Sequence, residues 1–343
     1  MRPESALGAT GQVRIHCGPQ EVTAYMKSLI IQSMKSLVVP MAALAMVAGC
    51  SKNPQSSQEN FGSAIDRAAI QSTIQQDDLF NMQGIDDDGP QSPSYESNVG
   101  KIAEFIETLR WGRRGVLRLE SVDVEFTSDT TAEATIIHSL NGKFHILAKD
   151  TSDTNAVGTL YTKDMANTIL RKAKLIKVRN TGIDRRDWRV NAVSGCVATS
   201  PSPTISITEL SVEQPNGSTL TITDPLAFFI SRDTGLPQYN RGDSVKIFVK
   251  LTNTNNFPPA PGETVLVRHG MNHRFHRARK PLNDEGIYPD VAAGDGIFSG
   301  IYRIGPRPGL HHGGIDAIDN GTIYDNVAPY NAAVWSLPYL VKL

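Results

Sequence analysis

Asp284, Asp290 and Asp295 stand among Gly286, Gly294 and Gly296, and that density of oxygen can serve a hard cation such as Ca²⁺. The EF-hand order is not met. Counted from Asp284, position six is Pro289 where glycine belongs, and position twelve is Asp295 where glutamate belongs. Asp and Gly also build tight turns with no ion, through side-chain bonds to the backbone and positive φ. The segment therefore reads as turn chemistry with a candidate Ca²⁺ set inside it. Asp86-Asp87-Asp88-Gly89 reads as a polar loop, since Gly84 falls where a first acidic ligand would be needed. His269, His273 and His276 flank a turn, with His311 and His312 downstream; imidazoles so placed suit zinc, but no HExxH motif or matched cysteine supports it. Arg241-Gly242-Asp243 reads as a turn before a strand. Cys196 lies between Gly195 and Val197, which do nothing to lower a thiol pKa. No GxSxG elbow, Walker loop, dinucleotide glycine pattern or SxxK set occurs in a usable context. No catalytic residue is assigned, and no ligand-binding residue can be named.

The 343 residues allow two or three domains. Lys and Arg total 34 against 35 Asp and Glu, so no basic footprint for nucleic acid exists. One locally basic segment, with Arg171, Lys172, Lys174, Lys177, Arg179, Arg185, Arg186 and Arg189, reads as a solvated strand face, with an anionic partner as the alternative. Three cysteines are present, Cys17, Cys50 and Cys196. Loss of the first and modification of the second would leave Cys196 with no intramolecular partner.

The best-defined motif is Met34 to Cys50, MKSLVVPMAALAMVAGC. Lys35 gives a charged start, Leu37 to Val47 an apolar run, and Val47-Ala48-Gly49-Cys50 a small-residue cut site. The run is roughly 11–13 residues, short of the roughly 20 that span a bilayer. The tetrapeptide resembles the lipobox of bacterial lipoproteins. The resemblance implies cleavage between Gly49 and Cys50, lipidation of Cys50, and a lipid bilayer as partner through that acylated cysteine. Residues 1–33 are an ill-fitting leader, and the Met-Lys-Ser-Leu repeats at Met26 and Met34 offer better starts. Residues 34–49 are the signal peptide, and polar residues 50–60 a flexible tether. Ser51 in place of aspartate favours the outer membrane, facing periplasm or cell surface.

From 61 to 194 the pattern predicts two helices and then a curved antiparallel sheet, an α+β roll. Ser63 caps the first helix, whose stripe is Ile65, Ala69, Ile70 and Ile74; the second carries Ile102, Phe105, Ile106, Leu109 and Trp111. Alternating runs follow, with Asn141-Gly142 as a hairpin turn. The order, closing on Asp187-Trp188-Arg189-Val190, resembles the nuclear-transport-factor-two-like superfamily. A roll of that type can enclose a pocket, which His138 or His145 could line. Residues 195–203 read as a linker.

From 204 to 343 short alternating runs separated by Gly, Pro, Asn and Asp predict an all-β immunoglobulin-like sandwich. Asp284-Glu285-Gly286, Pro289-Asp290 and Ala293-Gly294-Asp295-Gly296-Ile297 resemble the hairpin of bacterial Ig-like modules of the choice-of-anchor X type; Ile315 to Gly321 is similar to their late strand. The resemblance implies a carrier or adhesive module without catalytic residues. The whole reads as a membrane-anchored, exported, non-enzymatic binding or assembly module with an envelope protein or surface partner. The alternative is a small-ligand carrier or enzyme using the roll's pocket.

Overall fold

The computed structural model describes residues 62–80, 107–149, 158–181, 184–255, 257–258, 260–270 and 278–342. The signal stretch, Cys50, the tether, Asp86 to Asp88, His273 and His276 lie outside them. Ser63 caps helix α1 (Ala64–Gln76) through a capping box with Asp66: the Asp66 N–H donates to the Ser63 hydroxyl, and the Ser63 N–H donates to the Asp66 carboxylate. The buried stripe is Ala69, Ile70 and Ile74. Ile65, expected to join it, is 66% exposed.

After α1 the chain is dominated by strands. They are β1 (Glu107–Ser128), β2 (Thr131–Lys149), β3 (Thr159–Lys177), β4 (Trp188–Thr199), β5 (Ile205–Glu213), β6 (Thr219–Ile222), β7 (Phe229–Ser231) and β8 (Gln238–Tyr239). The second half adds β9 (Ser244–Asn253), β10 (Glu263–Gly270), β11 (Ala278–Leu282), β12 (Ile297–Arg303), β13 (Gly309–Asp319) and β14 (Ala332–Val341). A short helix α2 (Asn320–Tyr324) links β13 to β14.

The larger sheet runs β1-β2-β3-β4-β14-β13-β10-β11, with β7 and β8 off that path; the smaller runs β12-β9-β5-β6. The two pack face to face over Ile207, Val249 and Phe298 on one side and Val267, Ala317 and Trp335 on the other. This is a β-sandwich, as the second half of the sequence predicts. The same parity along β2 buries Ala132, Ala134 and Ile136 and then Leu140, Phe144 and Ile146. The first trio packs with α1, Leu175 and Val190; the second packs with Met165, Ile169, Ile318 and Val334.

The α+β roll does not form. The larger sheet passes from β4 straight into β14, with Val197 opposite Trp335 and Cys196 opposite Ser336. All described residues belong to one compact unit, Glu59–Leu343. Residues 195–199, read as linker, are the second half of β4. Small side chains there permit close packing: a Cβ on Gly195 would lie 2.7 Å from Pro225. The expected second helix fails in its described part, because Leu109 and Trp111 lie in β1. Their helical spacing is overridden by pairing with β2, where Trp111 faces Ile146. Asn141-Gly142 is likewise no turn. Gly142 sits mid-strand opposite Gly115, and a Cβ on it would fall 2.0 Å from the Arg114 carbonyl oxygen. Glycine here serves a close approach of two backbones within a long ribbon.

Candidate functional site

The large sheet curls until its two edge strands meet through side chains. The Arg279 guanidinium of β11 lies 4.5 Å from the centroid of Trp111 on β1. Inside this curl sits a buried charged junction. Arg113 of β1 donates through Nη1 and Nη2 to the two Asp316 oxygens of β13, at 2.5 and 2.9 Å. Its Nε donates to the Tyr330 hydroxyl at 2.9 Å, and Asn167 Nδ2 donates to the same oxygen at 3.1 Å. Arg268 of β10 approaches Asp316 to 3.4 Å. Phe144 stacks on Trp111 with centroids 5.3 Å apart and lies 5.6 Å from Tyr330, so aromatic rings wall the pair.

Burial alone would raise the Asp316 carboxyl, but Arg113 and Arg268 outweigh it and hold the group below the usual carboxylate range. Burial would likewise lower Arg113, and Asp316 reverses that. A bidentate pair of this geometry is a strong, directional tie. It joins an N-terminal strand to a C-terminal one across 203 positions of sequence.

Beside the junction, Lys163 of β3 donates from Nζ to the carbonyls of Gly321 and Thr322 in α2, at 2.8 and 2.9 Å. These are carbonyls that a five-residue helix leaves free, so the ammonium acts as a cap. Desolvation pulls Lys163 down to about 8, with Asp325 and Asp319 opposing. Lys163 also lines a cleft of about 740 Å³, together with Asn141, Asp164, Ser202 and Pro329.

A second buried cation lies between the apolar clusters. Arg171 of β3 is fully buried and donates to the Leu79 carbonyl at 2.5 Å; its Nε makes no hydrogen bond. Burial lowers its pKa, the neighbouring Cys196 opposing. Burial also pushes the Cys196 thiol up to about 11, so it is protonated near neutrality and a poor nucleophile.

Comparison of the chain with protein-family models, with curated proteins and with solved structures finds no match.

Of the residues singled out by sequence, Asp284, Asp290 and Asp295 are brought together. One carboxylate oxygen from each lies within 4.8 Å of the others. Each also organises backbone. Asp284 Oδ1 accepts from the N–H of Gly294 and Asp295, and its Oδ2 from that of Gly296. Asp290 Oδ2 accepts from Gly286 N–H, and Asp295 Oδ1 from Ile297 N–H. Gly286, Gly294 and Gly296 all have positive φ, as such a turn requires. These side-chain bonds join backbone ones of the same turn, from Asp290 N–H to the Ile287 carbonyl and from Gly294 N–H to that of Asp284.

The other candidates disperse. His138 shares the buried parity of β2 and His145 the opposite face, so they do not converge. His311 is buried, stacked on Tyr339 with Nε2 2.8 Å from the Arg307 carbonyl oxygen. Arg241-Gly242-Asp243 forms the turn into β9, where Asp243 accepts from the Asn240 N–H. Sequence reading does not single out Arg113, Asp316 or Lys163, and it places Arg171 on a solvated strand face, whereas the alternation of β3 turns Arg171 inward, 2% exposed. The available signal was Asp316 itself, an acid inside the apolar run Ile315 to Ile318.

Proposed function

We propose that the chain is an exported bacterial lipoprotein, held in the cell envelope by lipid on Cys50, whose folded unit is a non-enzymatic binding or assembly module. The observation that carries this is the order of charge, short apolar run and Val-Ala-Gly-Cys ending at Cys50. Ser51 favours the outer membrane, and the polar run to Asn60 gives the folded unit reach from it. The immunoglobulin-like character of the sandwich, suggested by the Asp284 to Ile297 hairpin, favours adhesion or assembly over chemistry. The buried charges fit that reading, because Arg113, Asp316 and Lys163 bind other parts of the same chain. No helix among the described residues is long and apolar enough to cross a membrane.

The test is metabolic labelling with a radioactive fatty acid, followed by crosslinked pull-down from intact cells, on the native chain and on Cys50→Ala. Label on the native chain and none on Cys50→Ala is expected, with partner capture reduced once anchoring is lost. Equal labelling of both, or none of either, overturns the lipid anchor. The cleft beside Lys163 favours one other reading, a carrier of a small polar ligand. A small molecule in native mass spectra of the purified chain, with no protein partner captured, would replace the first reading by this one.

A further inference from the structure

Among the described residues β1 is an edge strand whose outer side is covered at both ends and bare between. At its start Trp111 is covered by Arg279. Toward its end α1 closes the edge: Gln71 Nε2 donates to the Val122 carbonyl at 3.3 Å and Arg67 Nη1 to that of Val124. Between them Val116 is 60% exposed, Leu117 37% and Leu119 38%, with Arg114, Arg118 and Glu120 also exposed. Large apolar side chains on both faces of one bare edge segment make a template for another strand.

The ladder fixes which residues offer their backbone. The carbonyls of Val122 and Val124 point outward, since α1 reaches them. The register shift between Leu119 and Ser121 changes that parity by one. Gly115, Leu117 and Leu119 therefore turn their N–H and C=O groups to the open side. The charges of the segment are ordered too, with Arg114 and Arg118 before Glu120. Such a strand opposes like charges when it meets itself in parallel, and opposite charges when it meets itself antiparallel.

We propose that Arg114 to Glu120 of β1 pairs antiparallel with the same segment of a second copy of this chain, Leu117 opposite Leu117 and Arg114 opposite Glu120. The dyad then passes through a residue whose backbone groups face outward, so parity and charge select the same register. Val116 lies opposite Arg118, whose alkyl stem can cover it. Glu120, which already accepts from the Ser139 hydroxyl, gains a guanidinium partner at each end of the segment. The interface is short, so association is weak and concentration-dependent. It stands whether or not Cys50 carries lipid.

The test uses the full chain in mild detergent. In Leu117→Cys, the two sulfur-bearing residues face each other across the dyad at roughly the 5.5 Å Cα spacing of a hydrogen-bonded pair. In Val116→Cys the like residues are diagonal, at roughly 7–8 Å. Mild oxidation should give about ten-fold more disulfide dimer from Leu117→Cys than from Val116→Cys, a spacing effect. In sedimentation, Arg114→Glu should lower dimer content and Arg114→Glu with Glu120→Arg restore it. Equal crosslinking of the two cysteine variants, or a monomer at every concentration, overturns the proposal. So does capture of a different protein at position 117.

Discussion

Arg113 and Arg171 are both fully buried strand arginines, and they are buried on opposite terms. Arg113 meets a carboxylate head-on and is stabilised as a cation. Arg171 meets a backbone carbonyl and a thiol, and burial works against its charge. The first joins β1 to β13 and so holds the two ends of the large sheet in their curl. The second sits where the α1 cluster gives way to the inner cluster, tied to the Leu79 carbonyl 92 positions away and to no carboxylate. A buried guanidinium is thus no single motif. Its weight in the fold depends on whether a carboxylate comes with it.

The largest effect should follow from removing that carboxylate. Asp316→Ala leaves Arg113 buried without its carboxylate partner and removes the acid 3.4 Å from Arg268. A loss of about 3–5 kcal/mol is expected in urea unfolding, the cost of breaking one side of a buried pair. A loss under about 1 kcal/mol would mean that water or another acid replaces Asp316, and the contrast with Arg171 would collapse.

Acid should expose the same asymmetry more gently. The Asp316 pKa is lowered in the fold, so its contribution is complete above the unfolded value near 3.9 and fades as pH falls toward the lower folded value. The stability gap between the native chain and Asp316→Asn should be constant from neutrality to about pH 5 and narrow below about pH 4. Arg171, with no carboxylate, adds nothing to that slope. A gap that widens in acid would reverse the assignment.

Why one site was legible in the sequence and the other was not follows from distance along the chain. Asp284, Asp290 and Asp295 lie within one turn-rich segment, where Asp and Gly declare their geometry locally, and the structure brings them together. Ser63 announced α1 for the same reason. Arg113 and Asp316 are 203 positions apart, and no local rule links them. The errors have a common cause as well. From their immediate neighbours, Gly142, Gly195 and the Leu109-Trp111 spacing predict a turn, a linker and a helix. Gly142 is small because Arg114 of the next strand presses against it, and Gly195 because Pro225 does. Trp111 serves a sheet that closes on β11. Tertiary approach set these residues, and local propensity could not report it.

The smallest effect separates the two arginines most cleanly. Arg113→Met should cost less than Asp316→Ala but still well over about 1 kcal/mol, because it strips the buried Asp316 carboxylate of its bidentate partner and leaves it Arg268 at 3.4 Å. Arg171→Met orphans no ion. It gives up one charge-assisted hydrogen bond to the Leu79 carbonyl, a contribution of about 1.5–3 kcal/mol, and it removes the cost of burying a charge, which is of several kcal/mol. The two nearly cancel, so urea midpoints should differ little from the native chain. The Cys196 thiol supplies a second readout. Arg171 lowers its pKa against the larger effect of burial, so in Arg171→Met the thiol should titrate later still. An Arg171→Met loss as large as that of Arg113→Met would show that an anion compensates Arg171 in solution, and the two sites would then be alike.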